Sequence, residues 1–194
     1  MNDPLELGLG GFIGAVADPD DPIASSVLAA QVVATAAALL TMASRASSSP
    51  DGLGLAAQGE SVRARCETLV GRCAQAFGEA SQRLRARSSP GDAGAERDFL
   101  LGRALHRAAE GPAAVAEAAG DVSLLALAVA EVCEQEQLPD VRAATLFADA
   151  AATACVGLVV VNLVAGSDEE LLAQARRGAE LSGEARRKLL ADVP

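Results

Sequence analysis

The sequence predicts an all-α domain, an up-and-down bundle of six or seven helices that dimerises through Ala-rich helices. Hydrophobic residues make up 51% of the 194 residues but aromatic residues only 2%, so Ala, Val and Leu must form most of the core. Such small side chains let helices pack closely, and Ala is the strongest helix former. No segment alternates apolar and polar residues between β-branched positions, so strand signals are nearly absent. The length suits one domain over 1–194 rather than two.

The first two helices are separated by a proline-containing turn. A short amphipathic helix is predicted over 5–16. The prolines and aspartates of 18–22 predict a turn, because Pro restricts the residue before it and Asp favours turns. A long helix follows, with Ser25 or Ser26 as its N-cap and its end near Arg45.

Two loops flank the third helix. Gly, Ser and Pro residues predict loops over 47–59 and 88–94. Between them, a helix is predicted over 60–87, because apolar residues recur at steps of three and four. This stripe consists of Val62, Cys66, Leu69, Cys73, Phe77, Ala80 and Leu84.

Two prolines divide the C-terminal half into helices. A fourth helix begins near Ala95, and Gly111-Pro112 predicts a break or kink because Pro removes an amide donor. Another helix covers 113–136. Pro139 suits the first turn of the next helix, which ends near Gly166.

The last helix is predicted from signals at both of its ends. Ser167-x-x-Glu170 is a capping-box pattern that opens it. Its final turns are basic, as the helix dipole favours, with Arg186, Arg187 and Lys188.

The second and sixth helices are apolar on every face, and a single bundle of this size is too small to bury both completely. We therefore expect a homodimer in which both helices line the subunit interface.

Residues 23–44 carry no charge and are long enough to span a bilayer. Their Ala, Ser and Thr content, with Gln31 in the middle and no aromatic belt, instead favours a buried helix in a soluble protein without membrane contact.

Charge and cysteine usage exclude several classes of protein. A net charge of −10, with no basic stripe, argues against a nucleic-acid partner. The cysteines form no C-x-x-C pair and fall in apolar helical patterns. Reduced core thiols in the cytoplasm are therefore expected, with a disulfide framework as the alternative. One His and scattered Cys predict no metal site, and the acidic N-terminus lacks the basic start of a signal peptide.

Three sequence patterns carry a family resemblance. Asp140 opens an Ala-rich helix, Asn162-Leu163 stands at its far end, and Asp168 closes the following turn. Ala-Gln-Ala-Phe77 and the stretch from Ala104 to Pro112 supply the other two patterns. From Phe12 to about Leu172, the chain resembles the cyclodeaminase/cyclohydrolase family. That family includes the cyclodeaminase domain of formiminotransferase-cyclodeaminase and certain bacterial methenyltetrahydrofolate cyclohydrolases.

The chain departs from the family's pattern at several polar positions. The family's Pro-x-Pro-Gly-Gly-Gly-Ser turn is represented by Asp20-Asp-Pro22-Ile-Ala-Ser-Ser26, which keeps the second Pro and the Ser but has none of the three Gly. Cys73 stands where the family has Asp, Cys133-Glu134 where it has Gly-Asn, and Leu158 where it has Asn. A branched Ile23 obstructs the backbone approach to a ligand that glycines would allow.

The resemblance implies chemistry on a C–N ring of a folate one-carbon adduct or a related heterocycle, in a specialised pathway. The reaction would be ring closure with ammonia loss or hydrolytic ring opening, and either one needs proton transfer at nitrogen. No tightly bound cofactor is implied, and a tetrahydrofolate derivative would be a substrate. The alternatives are a non-catalytic paralogue that serves as a ligand-binding or assembly subunit, and a structural interaction domain.

Two residues are candidates for the proton transfer. Asp140 is the retained acid of the family pattern, and its alternative role is a helix N-cap. His106 is the one histidine of the chain, and its imidazole can take and return a proton; its alternative role is an ordinary surface residue. The residues predicted to bind substrate are Pro22, Ser25, Ser26, Cys73, Phe77, Asn162 and Asp168.

Capping is the alternative role for two of these polar residues. Asn162 could cap the end of its helix, and Asp168 could serve the dipole at the start of the last one. Along a straight helix, Asp140 and Asn162 lie about 33 Å apart. They could share a site only if the helix broke, for which Gly157 is the obvious place, or if an antiparallel second subunit supplied one of them.

Overall fold

The chain folds into α-helices that pack side by side. The computed structural model describes residues 4, 6–18, 23–86, 94–163 and 168–191, and it contains no strand within those ranges. The helices are α1 (Leu9–Val16), α2 (Ser25–Ala46), α3 (Gly52–Ala86), α4 (Gly94–Val132), α5 (Leu138–Asn162) and α6 (Glu169–Leu190), with a short 3-10 helix at Gln135–Gln137. From α2 onward each helix packs against the next one in sequence. The predicted all-α bundle is therefore confirmed.

The core lies where α4 meets α2, α3, α5 and α6. It consists almost entirely of Ala and Val side chains, and Leu40 is its largest fully buried residue. Small residues bring the backbones together: a Cβ at Gly178 of α6 would overlap the Ala116 carbonyl of α4. Between the same two helices, the hydroxyls of Ser123 and Ser182 are 3.0 Å apart. The low aromatic content thus corresponds to close helix packing.

Of the break or kink predicted at Gly111-Pro112, the break is absent, because α4 runs unbroken through these residues. Pro112 removes one backbone donor, but it is fully buried and its neighbours on both sides are held in the core. The separate helix predicted over 113–136 is the second half of α4, which ends at Val132.

The predicted loop over 47–59 is also too long, because α3 begins at Gly52. The glycines that indicated a loop instead permit close contact with α2. A Cβ at Gly52 would lie 2.6 Å from the Ser44 carbonyl oxygen, and one at Gly59 would overlap Thr41. Glycine here serves helix packing, which outweighs its low helix propensity.

Two predicted helix caps differ from those in the structure. α2 begins at Ser25 with Ala24 as N-cap and no side-chain capping bond, so neither Ser25 nor Ser26 is the N-cap. α6 is capped by Asp168 rather than Ser167, which lies outside the described residues. α5 ends at Asn162, before the predicted end at Gly166.

Other end signals are confirmed. Pro139 lies in the first turn of α5. Arg187 and Lys188 lie in the last turn of α6.

The four cysteines are free thiols, which excludes the disulfide alternative. Burial raises the pKa of Cys66 to about 11 and that of Cys155 to about 12, so both are neutral near pH 7.

Three helical segments are long and apolar enough to cross a membrane by length and composition: Ser25–Ala46, Gly94–Val132 and Gln135–Asn162. In the most apolar part of the first two, 61% of residues are buried inside the bundle, against 39% for the third. α5 is therefore the least covered, and its large exposed apolar residues are Leu146, Phe147, Val160 and Val161. Leu28 and Met42 of α2 are exposed as well.

Candidate functional site

The polar candidates gather at one end of the bundle. This end is built from the start of α2, the second half of α3, the first half of α4, the end of α5 and the start of α6. The antiparallel packing of successive helices brings these five segments together. Seven of the nine predicted site residues belong to them.

His106 of α4 lies between two carboxylates. Its Nε2 is 2.9 Å from Oδ2 of Asp168, and its Nδ1 is 3.7 Å from Oε1 of Glu110, one turn along the same helix. The imidazole side chain remains 47% exposed, so solvent or a ligand can reach it. The contact with Asp168, the N-cap of α6, joins α4 to the start of α6.

The Asp168 side chain contacts both α4 and α6. Its Oδ1 accepts a hydrogen bond from the backbone N–H of Leu171, which makes it the N-cap of α6. Its Oδ2 faces His106. The Leu171 amide is the main cause that lowers the pKa of Asp168, and the His106 ring adds to the effect. Asp168 is therefore ionised near neutral pH, so the capping role and a role beside the imidazole coexist.

Asn162 closes α5 beside this pair. Its Nδ2 donates to the Leu158 carbonyl at 2.9 Å and to the Ala108 carbonyl of α4 at 3.4 Å. Its Oδ1 accepts no hydrogen bond within the described part of the chain. The side chain is thus fixed by its donor end and offers an acceptor.

A cavity of about 330 Å³ opens between α4 and the end of α5. Its wall includes Phe99, Gly102, Arg103, His106, Asn162 and Leu163. Phe99 is 63% exposed, and the Arg103 guanidinium lies 5.9 Å from the centre of its ring. The cavity therefore combines an aromatic surface, a fixed amide and an imidazole, which suits a small polar heterocycle.

Cys73 lies deeper, at the contact between α3 and α4. Its side chain is only 2% exposed, and a Cβ at Gly111 would come within 2.7 Å of its Sγ. Burial raises the pKa of Cys73, while a hydrogen bond with Ser26 of α2 opposes the shift. The thiol is therefore neutral and cannot replace the carboxylate that the family pattern has here.

The remaining predicted substrate-binding residues differ in accessibility. Ser26 is buried, whereas Ser25 is exposed at the start of α2. Phe77 is partly buried against the core. Pro22 lies outside the described residues.

Asp140 lies at the opposite end of the bundle. It is in the first turn of α5, whose N-cap is Gln137, so the predicted N-cap role of Asp140 is wrong. α5 continues unbroken through Gly157 to Asn162, which removes a helix break as a way to unite the two polar residues. About 33 Å of helix separates them, so Asp140 does not reach the cavity of its own chain.

The sequence identified most residues of the site but not which of them lie together. Glu110 follows His106 by four residues, a spacing that places both on one helix face, and this signal was available. The contact between His106 and Asp168 joins residues 62 positions apart and has no local signal. Within the described residues, no three His, Cys, Asp or Glu side chains could hold a metal ion together.

Comparisons with known proteins agree with this architecture. The family model described as Formiminotransferase-cyclodeaminase matches residues 9–181. The crystal structure of formiminotetrahydrofolate cyclodeaminase from Thermotoga maritima is similar, with a TM-score of 0.80 and 21% sequence identity, and the match covers 97% of this chain and 98% of that one. No curated protein matches the sequence. Because the family model covers most of the sequence, the chain belongs to the formiminotransferase-cyclodeaminase family.

Proposed function

We propose that this protein is an enzyme acting on a C–N ring of a folate one-carbon adduct or a related heterocycle, by ring closure with ammonia loss or by hydrolytic opening. The family assignment supports the reaction class. The observation that carries the proposal is the 2.9 Å contact between His106 and Asp168 at the wall of a cavity of about 330 Å³.

The pair supplies acid–base catalysis. With its proton on Nε2, the neutral imidazole donates to ionised Asp168 and leaves the Nδ1 lone pair free to accept a proton. Nδ1 takes that proton from the attacking water or amine and returns it to the nitrogen that leaves. Between those two steps the imidazolium lies between Asp168 and Glu110, and both carboxylates stabilise its charge.

The cavity walls orient the ring. The free Oδ1 of Asn162 accepts from a ring or amino N–H, and exposed Phe99 provides a stacking surface. A substrate held by these two groups presents its reacting carbon–nitrogen bond to His106. Holding reactants in this way accounts for much of the rate that a proton-transfer enzyme attains.

A second candidate function is a non-catalytic paralogue that binds a ligand or assists assembly. Cys73 favours it, because a buried neutral thiol stands where the family pattern has an acid. In that case the cavity binds its ligand without converting it.

We also propose a soluble, cytoplasmic homodimer. The exposed apolar side chains of α5 and α2 support it, since a partner would remove them from water. Pairing α5 helices antiparallel would bring Asp140 of one copy toward the Asn162 end of the other. Under this arrangement Asp140 is a second acid, supplied across the interface.

The test compares His106→Gln with wild type on two substrates. The loss of methenyl-tetrahydrofolate is followed by its near-ultraviolet absorbance, and ammonia release is followed from formimino-tetrahydrofolate. His106→Gln is expected to reduce kcat by about 10²- to 10⁴-fold, the usual contribution of a general acid–base group. Glu184→Gln, which breaks an exposed ion pair with Lys188 near the far end of α6, is the control and should keep full activity.

The other outcomes are equally informative. Wild-type protein that turns over neither substrate, yet melts at a higher temperature with the folate, would favour the binding role. Full activity in His106→Gln would remove the proposed mechanism. A large loss in folded Asp140→Asn would support a site shared between two subunits.

A further inference from the structure

We propose that Pro112 is a positioning residue for the cavity. It leaves the Ala108 carbonyl of α4 without its helical partner, and that carbonyl then holds the Asn162 side chain in place. The free Oδ1 of Asn162 is therefore presented to a ligand in one fixed orientation. That Asn162 binds the substrate ring rests on the function proposed above, whereas its contact with α4 does not.

The backbone of α4 lacks one hydrogen bond at this point. In an α-helix the carbonyl of residue i accepts from the backbone N–H of residue i+4. The partner of the Ala108 carbonyl would be residue 112, and a proline has no N–H. Because α4 continues unbroken here, this carbonyl lies inside a helix without its usual donor. A buried carbonyl in that state is unfavourable unless another group donates to it.

The Asn162 side chain supplies a donor where α4 is largely shielded from water. Ala108 is 9% exposed and Pro112 is fully buried. On the side of α3, a Cβ at Gly111 would lie 2.7 Å from Sγ of Cys73, so the helices are in close contact. Nδ2 of Asn162 lies 3.4 Å from the Ala108 oxygen. A long hydrogen bond is expected here, because a proline ring crowds the carbonyl of residue i−4.

The two contacts of Asn162 decide which end of its amide is left for a ligand. Nδ2 has two hydrogens, and it donates to the Leu158 carbonyl at 2.9 Å as well as to that of Ala108. The opposite amide orientation would set Oδ1 against two carbonyl oxygens, which is unfavourable. Asn162 is part of the cavity wall, so its remaining atom offers an acceptor there. The matching ligand presents an N–H or O–H donor at this point.

A residue with a backbone N–H at position 112 would break this arrangement. In Pro112→Ala the new N–H bonds to the Ala108 carbonyl and completes the helix. Asn162 then keeps one anchor, the Leu158 carbonyl of its own helix, and its amide is free to rotate. The fold should tolerate the change, because Ala is the best helix former and Pro the worst. Pro112→Ala therefore separates the orientation of Asn162 from the stability of the bundle.

Nuclear magnetic resonance on the whole chain tests the contact directly. The sequence has two asparagines, Asn2 and Asn162, so ¹⁵N-labelled asparagine gives two side-chain amide signals, and Asn162→Ala identifies one of them. In Pro112→Ala we expect a lower order parameter for Nδ2 of Asn162 and faster exchange of its protons with water. Val115→Ala is the control, because it truncates a fully buried side chain of α4 without adding an N–H at position 112. It should leave both quantities as in wild type.

Steady-state kinetics on the two folate substrates tests the consequence for the site. Pro112→Ala and Asn162→Ala should each raise KM by up to about tenfold, the effect of one hydrogen bond, with a smaller change in kcat. The double variant should resemble Asn162→Ala alone, because Pro112 acts through that side chain. Circular dichroism confirms that each variant is folded.

The outcomes for this contact differ from those for the proposed reaction. An unchanged order parameter in Pro112→Ala, or an equal decrease in Val115→Ala, would overturn the role of Pro112. Additive effects on KM in the double variant would overturn it as well. If the wild type converts neither substrate, the proposed reaction fails alone, because the resonance measurement still decides whether Pro112 orients Asn162.

Discussion

Asp168 connects the structure of this protein to its proposed chemistry, because its two carboxylate oxygens have different tasks. One oxygen caps α6 through the Leu171 amide, and the other faces the His106 ring. The cap fixes the position of the carboxylate, so the imidazole is oriented by an element of the fold. A histidine held in this way retains one tautomer and one direction, which an acid–base group requires.

The pH dependence of stability should reveal this arrangement. Folding lowers the pKa of Asp168, so its ionised form contributes stability above the ordinary aspartate pKa, and the contribution disappears as pH falls through the lower folded value. Asp168→Asn keeps a capping oxygen but has no charge. We expect it to be less stable than wild type at pH 7 and similar to it once Asp168 is protonated.

Urea unfolding at a series of pH values measures this difference. Asp168→Ala is the matched variant, since it lacks both the charge and the cap and should be less stable than wild type throughout the series. A stability gap between Asp168→Asn and wild type that stays constant down to strongly acidic pH would contradict the assignment.

At the scale of helices, the packing of α6 against α4 depends on residues without bulk. Gly178 lies directly against the Ala116 carbonyl, and a Cβ at Gly120 would lie 3.2 Å from the Gly178 Cα. The hydrogen bond between Ser123 and Ser182 lies in the same contact. This close approach also sets the start of α6, where Asp168 meets His106. The glycines therefore contribute to the site although they are distant from it.

Gly178→Ala should destabilise the fold. Its new methyl group overlaps backbone atoms of α4, and such overpacking costs about 1–3 kcal/mol. Gly71→Ala is the control, because it lies on the exposed face of α3 with open space around it. There the better helix propensity of Ala should add up to about 1 kcal/mol. Chemical denaturation measures both, and a stable Gly178→Ala variant would show that α6 packs differently.

The same contacts explain which elements could be predicted from the sequence. α2, α5 and α6 were recognisable from composition, Pro139 and the basic last turn, because those signals are local. The loop predicted over 47–59 and the break predicted at Gly111-Pro112 failed for a common reason. Both rest on helix propensity, and tertiary packing of Gly59 on Thr41 and burial of Pro112 outweigh it.

The site divides in a similar way. His106, Asn162 and Asp168 were each identifiable as unusual polar residues in or beside apolar helices. Their proximity depends on how α4, α5 and α6 pack, which no local pattern encodes. Asp140 belonged to the same sequence signature, yet the unbroken course of α5 places it at the other end of the bundle. Residues that share a family signature in the sequence therefore need not lie together in one chain.

At the scale of the whole molecule, the unexplained feature is the apolar surface of α5. Val161 is 68% exposed, Val160 47%, Phe147 44% and Leu146 42%, in a chain with a net charge of −10. An isolated bundle would expose this surface to water, which is unfavourable for a soluble protein. A stable interface buries at least about 1,200 Å² in total, and two long helices with small residues can pack closely enough to provide it.

The proposed homodimer gives a direct prediction. Phe147→Arg places a charge in the middle of the apolar α5 surface, away from His106, and should convert the dimer into a monomer in size-exclusion chromatography with light scattering. Ala64→Arg introduces the same side chain on the exposed side of α3 and should leave the dimer intact. If Asp140 acts across the interface, the Phe147→Arg monomer loses its activity, because it has lost the partner subunit that supplies Asp140. A wild-type monomer at working concentration would exclude both the dimer and any role for Asp140 in the cavity.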